Sequence, residues 1–481
     1  MIDIILVPWF GAFATGIVCR FTKKFGYVPV LTSLIALLLT IWRAPAFLTG
    51  VVTLEIWAQA PYGIALEADA FNGTMALLAG LIFTLVAIYS VRYIGEDEKY
   101  VQFYALYQLF VAGTLGIILT GDIFNMFVLL EIASISSYAL VSYALDKESV
   151  AGGLRYMLIS ALGTSIFLLG VTFLYALAGT LNIAHLVVML QGVNTPVLFA
   201  AFSFLFIGVG VKAAVIPLYL WKPKAISATP IPVATLVSGI STATAVYILM
   251  RLTYTIFSVY SGIISSILLY AGVLTMLLGA FMALLEPDVK KVLAYSGISQ
   301  VGYAFLAIGF ATASGIFAGI FHIINVVLGE ALIFLSLGYV ILHTGEKNLH
   351  KLGGLAPKMP LAAAAFLFGS LSVVGVPPLN GFASKWLIYL EGISTNHILA
   401  TAVALVVSAL TLGYYMKAFS AIFLGPGKWA DFKSDWRLDY PILILLALCL
   451  VIGIYPPIIY PLLQPATDAL LTVSGYLGVL A

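Results

Sequence analysis

FLFIGVGVKAAVIPLYLWKPKAISATPIPVATLVS, residues 204–238, places one lysine, Lys212, inside an apolar run and breaks that run five residues later at Pro217. Lys222 and Lys224 follow beyond Trp221. An ammonium group in the hydrocarbon layer costs at least roughly 2.5–3.5 kcal/mol. Lys212 therefore requires a buried partner or a hydrated cavity. The proline frees backbone carbonyls, which a bilayer tolerates only where protein or water satisfies them. Lysine and proline together predict a broken helix lining a polar cavity, as at the ion sites of transporters.

The rest of the chain supplies the membrane that this reading assumes. Of 481 residues, 62% are hydrophobic and only 9% charged, more apolar surface than a soluble core needs. A net charge of +2 gives no reason to expect nucleic acid as a partner. Cys19 and Cys449 lie far apart in apolar runs and read as packing residues. The N-terminus, MIDIILVPWF, has no basic segment before its apolar run and reads as a retained helix. No nucleotide loop, zinc spacing or cysteine cluster occurs, so no cofactor, metal or catalytic centre is expected.

Runs of about 20 apolar residues predict an all-α polytopic membrane protein of about fourteen transmembrane helices, centred near residues 12, 37, 84, 111, 132, 166, 206, 243, 272, 302, 328, 375, 409 and 451. The seventh and twelfth are the interrupted ones. The interval Arg43 to Phe71 reads as an external loop, and the tail after the last span as short. Of the 22 lysines and arginines, eighteen fall in connections after odd-numbered spans, Lys222 and Lys224 among them. Only Arg43 and Arg251 fall after even-numbered spans. The positive-inside rule then places both termini on the outer side.

Four ionisable residues remain inside spans: Glu131, Lys212, Glu330 and Lys385, with His322 beside them. Intramembrane ionisable groups are functional candidates by default. Glu131 lies nine residues after Asp122 in GDIFNMFVLLEIASISSYAL, about 13 Å along a helix, near mid-membrane. Ser134 and Tyr138 share its face and are expected to hydrogen-bond it. Lys385, in GVPPLNGFASKWLIYL, repeats the pairing of a lysine with a proline break, at Pro377, Pro378 and Gly381. Two such broken helices five spans apart predict inverted repeats, residues 103–256 and 262–423, flanked by helices at 4–20, 28–42, 74–94 and 440–462. Glu330 and His322 are about 80° apart around one helix, with Asn325 between them, and form a polar seam suited to passing protons.

At these residues the sequence resembles a known family. GDIFNMFVLLEIASISSYAL, VKAAVIPLYLWKPKAISATPIPVATLVSG, DVKKVLAYSGISQVGY and GVPPLNGFASKW are similar to the antiporter-like subunits of Mrp-type cation/proton antiporters. The same family includes proton-pumping subunits of respiratory complex I and of membrane-bound hydrogenases and sulfur reductases. PLY at 217–219 and WAQAPYGIALEAD at 57–69 are nearest the Mrp D-type subunit. The resemblance implies a cell-membrane protein with other membrane subunits as partners, moving protons, with Na⁺ a second candidate ion. It implies a buried ion pair between Glu131 and Lys212, and a role for Lys385 near the exit of a hydrated axis. Ala243 stands where the family has a lysine in its eighth helix, and Glu330 replaces a lysine of the eleventh. The WLPD pattern is altered to WKPK. The alternatives are a structural, connecting subunit that conducts nothing and a stand-alone solute carrier.

Overall fold

A computed structural model of the chain describes residues 1–19, 21, 26–56, 62–95, 100–427, 429–430 and 434–472. Twelve helices among them are long and apolar enough to cross a membrane. α1 (Ile2–Val18) and α2 (Tyr27–Thr49) precede a hairpin of β1 (Val52–Ile56) and β2 (Ile64–Ala68). α3 (Ala70–Tyr93), α4 (Tyr100–Leu119), α5 (Ile123–Val141) and α6 (Lys147–Ala178) follow, then the short α7 (Ile183–Met189). α8 (Pro196–Ala213) and α9 (Lys222–Ala228) are two pieces of the first interrupted element. α10 (Ile231–Ile256) leads to α11 (Ser261–Leu285), α12 (Val289–Gly309) and α13 (Ala313–Thr344). α14 (Pro360–Val374) and α15 (Asn380–Ser394) form the second interrupted element, followed by α16 (Ile398–Phe423), α17 (Trp436–Ile454) and α18 (Tyr460–Leu471).

Burial separates the centre from the lipid face. The apolar windows of α10, α12 and α13 are each 94% buried, against 28% for α2 and 33% for α16 and α17. The central helices carry the Ser, Thr, Asn, Gln and charged side chains, because polar groups in a bilayer are stable only when they face one another. Lipid tails are as apolar as leucine, so contact between helices depends on close packing. Gly272 of α11 and Gly302 of α12 provide it: a Cβ at Gly272 would lie 2.7 Å from the Gly302 carbonyl oxygen.

Both interruptions have the same local form. α8 stops at Ala214 in the left-handed conformation, with Ile216–Pro217 cis; α14 stops at Gly375, also left-handed, with Pro377–Pro378 cis. Proline removes a backbone donor and cannot continue the ladder. A second motif also recurs. Asp122 caps α5 and bridges to Asn182, while Asp288 caps α12 and bridges to Asn348. In each case the bridge ties the start of that helix to the chain just past the end of the next one, a 32-residue helix, α6 or α13, that stops at a left-handed glycine, Gly179 or Gly345.

Several expectations need correction. The interval from Arg43 to Phe71, read as a loop, holds the end of α2 and a hairpin among its described residues, so the fold is mostly helical. α2 continues to Thr49, and β1 and β2 pair antiparallel with Val52 opposite Ala68 and Ile56 opposite Ile64. α3 starts at Ala70 because Asp69 accepts from the Phe71 and Asn72 amides. α17 ends at Ile454, where Pro456 and Pro457 follow, and α18 packs back on α3 and α13. Two basic residues assigned to connections are core residues: Lys222 and Arg251 are each 0% exposed. Arg20, Lys23, Lys24, Lys99, Lys428 and Lys433 lie outside the described residues.

The hairpin closes one end of the bundle. Leu66 bridges to Thr120, the Gly121 amide donates to the Ala65 carbonyl, and Asn182 Nδ2 donates to Glu67 Oε1 at 2.9 Å. Glu67 is fully buried, with Asp122, Asp69 and Arg251 the charged groups around it, and burial pushes its carboxyl up to about 7. A raised carboxylate means that the folded state keeps a proton the unfolded chain releases. Stability is therefore expected to fall as pH rises from the ordinary value of 4.5 towards 7, by at most about 3 kcal/mol, and to level off above that. Thermal unfolding of the purified protein between pH 5 and 8 checks this. Glu67→Gln should flatten the slope, and an unchanged slope in that variant would assign it to another group.

Candidate functional site

The first cluster forms around the first break. Lys212 lies on the last turn of α8, just before the left-handed Ala214, and is 4% exposed. Its Nζ donates to Ser134 Oγ at 2.5 Å and to Tyr138 Oη at 3.2 Å, both from α5. It also sits over the Tyr138 and Tyr156 rings, 5.0 and 5.2 Å from their centroids, where the π faces favour a cation. Trp221 stacks on Tyr156 and donates to the Val211 carbonyl at 2.7 Å, fixing the chain across the break.

Ser134 and Tyr138 were expected to serve Glu131; they serve Lys212. Glu131 is half-buried and lines a groove of about 450 Å³ between α5 and α6, with Tyr138 on the shared wall. Glu131 and Lys212 make no direct ion pair among the described residues. Ser134 and Tyr138 lie about 60° and 20° from Glu131 around α5. All three share a face, but the two hydroxyls meet Lys212 while Glu131 lines the groove.

The second cluster is central. Glu330 of α13 is 3% exposed and accepts from Ser238 Oγ at 3.2 Å. Lys222 starts α9 and reaches the same place, donating to Thr242 Oγ1 at 3.1 Å and to the Ser238 carbonyl at 3.4 Å. A Cβ at Gly297 would meet Glu330 Oε1 at 2.8 Å, Ser238 Oγ at 3.0 Å and Lys222 Nζ at 3.1 Å, so the three groups converge on one point. α10 widens into π-helical turns over Leu236–Ser241 here, a deformation frequent at functional sites. Sequence reasoning assigned Lys222 to a connection because it follows a proline and a tryptophan. The available signal was the apolar run that resumes at Ala225.

A cavity of about 30 Å³ joins this cluster to His322, lined among others by Ser238, Thr242, Ala243, Gln300, His322 and Glu330. A volume of this size admits water where polar atoms line it. Gln300 Nε2 and Oε1, His322 Nε2 and Glu330 Oε1 are buried there without a hydrogen-bond partner among the described residues. A smaller cavity of about 20 Å³ on the other side of α10 holds Lys212, Ser134, Tyr156, Ser241 and Thr244. α10 thus presents polar residues to both.

The third cluster surrounds the second break. Lys385 of α15 is 2% exposed; its Nζ donates to the Val374 carbonyl and to Ser408 Oγ, both at 3.2 Å, and lies 4.0 Å from the centroid of Tyr303. The His322 ring is 5.6 Å from the Tyr303 ring, and its Nδ1 is 3.3 Å from Ser384 Oγ. Asn325 belongs elsewhere in the expected seam: it exchanges hydrogen bonds with Asn380, at 2.9 and 3.0 Å, and pins α15 to α13. Glu330 and His322 border one cavity as expected. From Lys212 to Lys385 the centre of the bundle therefore carries buried amines, a carboxylate, an imidazole and hydroxyls in succession.

The profile of the family described as NADH:quinone oxidoreductase/Mrp antiporter, transmembrane, matches residues 120–411. The D-type subunit of the Na⁺/H⁺ antiporter of Alkalihalophilus pseudofirmus is 32% identical over 92% of this chain and 91% of its own. The N-type subunit of the NADH-quinone oxidoreductase of Desulforudis audaxviator is 32% identical over 94% of this chain and 93% of its own. Among solved structures, one polypeptide of the Mrp complex from Dietzia sp. superposes with a TM-score of 0.91 at 25% identity, over 99% of this chain and 98% of that one. One polypeptide of a membrane-bound sulfane sulfur reductase, an archaeal respiratory complex, gives 0.92 at 28% identity over the same shares.

Proposed function

We propose that this chain, which belongs to the NADH:quinone oxidoreductase/Mrp antiporter transmembrane family, translocates protons within a multi-subunit membrane complex, with Na⁺ as the second candidate ion. The observation that carries the proposal is the succession of buried ionisable groups across the bundle centre: Lys212, Lys222, Glu330, His322 and Lys385. Ion pathways are the usual reason for such groups in a membrane. In this reading Glu131 gates the entrance. It lines the α5–α6 groove, which in this reading faces a neighbouring subunit. A charge or conformational change there would draw Lys212 towards it or release it, raising or lowering the proton affinity of the amine.

The chain crosses the membrane fourteen times in this proposal, the twelve long helices being joined by α1 and by the broken pair α14–α15. Two inverted repeats are supported by the recurrent breaks at Ala214 and Gly375 and by the recurrent Asp–Asn bridges. Outward-facing termini follow from the basic residues in connections. With Arg251 buried, Arg43 alone stands against the positive-inside pattern.

A second reading, a connecting subunit that conducts nothing, is favoured by Ala243, which puts a methyl group beside the central cavity. Lys385→Ala distinguishes the two. In the complex purified with this chain and reconstituted in vesicles, the variant is expected to assemble and to lose roughly 100-fold or more of its ion-coupled flux, followed with a pH-sensitive dye. Unchanged flux would favour the connecting role.

A further inference from the structure

We propose that Lys222 and Glu330 form the central proton-carrying pair between Lys212 and Lys385, with Lys222 supplying from α9 the amine that α10 lacks at Ala243. The inference rests on the ion-translocating reading and gives a place in the path to Lys222, which the sequence assigned to a connection.

The geometry argues for it in three ways. First, Lys222 is completely buried although it lies in the connection between a helix break and α10, and its side chain points into the bundle rather than to a surface. A lysine whose role was surface anchoring would snorkel to the interface, as its flexible stem allows. Second, its Nζ converges with Glu330 Oε1 and Ser238 Oγ on the space in front of Gly297, where a Cβ would lie 2.8 Å from Glu330 Oε1 and press on the other two. Glycine keeps that space clear. Third, Lys222 Nζ donates to Thr242 Oγ1, the residue before Ala243, and both Thr242 and Ala243 line the cavity that holds the unpartnered atoms of Gln300, His322 and Glu330.

Those positions define a direction for the proton. On the Lys212 side, Ser241 and Thr244 of α10 line the cavity beside the Lys212 amine. On the other side of the same helix, Ser238 and Thr242 hold Lys222 and Glu330. A proton leaving the Lys212 ammonium ion over these hydroxyls converts the Lys222 amine to ammonium. Lys222 then gives it to the Glu330 carboxylate, leaving a neutral amine and a carboxylic acid. The acid releases it into the cavity, where His322 takes it at the unpartnered Nε2 and gives up the proton at Nδ1, which faces Ser384 on the helix that carries Lys385. Each transfer moves one proton; Lys212, Lys222 and Glu330 are left ready to be reloaded, and His322, left with its proton on Nε2, returns to the Nδ1–H tautomer before it accepts again. The pair sits between α10, α12 and α13, whose apolar windows are each 94% buried.

Rescue of the pair from the other helix tests this. In the assembled complex, reconstituted in vesicles and followed with a pH-sensitive dye, Lys222→Leu and Glu330→Gln are each expected to cut flux roughly 100-fold. Lys222→Leu combined with Ala243→Lys returns an amine to the same cavity from α10 and is expected to restore most of it. Lys222→Gln keeps hydrogen-bond donors for Thr242 and the Ser238 carbonyl but cannot carry a proton, so its loss of flux in a fully assembled complex separates transfer from folding. Flux retained in Lys222→Gln or Lys222→Leu while Lys212→Ala is inactive would overturn the central pair and leave the translocating function standing. Flux unaffected in all three would overturn the function and the pair with it. Flux lost only together with assembly would assign Lys222 to folding and also overturn the proposal.

Discussion

Lys212→Ala is expected to reduce ion-coupled flux by roughly 100-fold or more while the complex assembles at its normal level. Both halves of this result follow from the contacts. The Nζ of Lys212 joins two hydroxyls, Ser134 and Tyr138, to the cavity under α10, and no other described residue brings an amine to that cavity. Its removal breaks the path at the first relay. Assembly survives because a buried cation adds a desolvation cost that alanine does not carry. Ser134 keeps its hydrogen bond to the Leu130 carbonyl at 2.5 Å, and Tyr138 stays packed on Tyr156. Flux in reconstituted vesicles, compared at equal amounts of assembled complex, reads the result. Flux within a factor of about two of the unaltered complex would remove Lys212 from the path.

Arg251→Leu is expected to do the opposite: to damage the fold far more than any single relay residue. The Arg251 guanidinium is fully buried where α10 meets the hairpin end of α3. It makes two contacts of 2.8 Å with the Asp69 carboxylate, hydrogen-bonds Asn72 and lies 5.4 Å from the Phe71 ring centroid. Breaking a buried pair by removing one partner costs about 3–5 kcal/mol, because the other charge stays buried and unpaired. Asp69 is buried too. It also caps α3, with its Oδ1 accepting from Phe71 and Asn72. The purified variant is therefore expected to unfold at a markedly lower temperature or denaturant concentration. Asp69→Asn in the same chain should recover part of the loss, since asparagine can cap the helix without a charge. A loss below about 1 kcal/mol in Arg251→Leu would mean that the pair does not lock this end of the fold.

The large features of the fold were legible because each rests on a local cost. Apolar runs long enough to span a bilayer predict helices wherever they occur. Prolines at 217, 377 and 378 predict breaks, and α8 and α14 stop within a few residues of them. Lys212, Glu330, His322 and Lys385 could be named because each sits inside an apolar run with no local partner, and all four are buried. The hairpin between α2 and α3 was harder to see, since VTLEI and IALEA are short and gain stability only from Thr120, Gly121 and Asn182 beyond them in the chain.

By itself, then, the sequence determined that this is a membrane bundle with two broken helices, and which charges the membrane must tolerate. Those conclusions depend on transfer free energies summed along a single segment, so no second segment is needed to draw them. Only the tertiary structure decided how the charges are used. Ser134 and Tyr138 turned from Glu131 to Lys212 because α8, packed on α6, sends the Lys212 side chain across to them. Arg251 moved from an expected connection into the core because Asp69, far away in the chain, pairs with it, and Lys222 because Thr242 and the Ser238 carbonyl accept its hydrogen bonds. A residue's intrinsic cost is local, but its compensation is not, and only the folded bundle brings the two together.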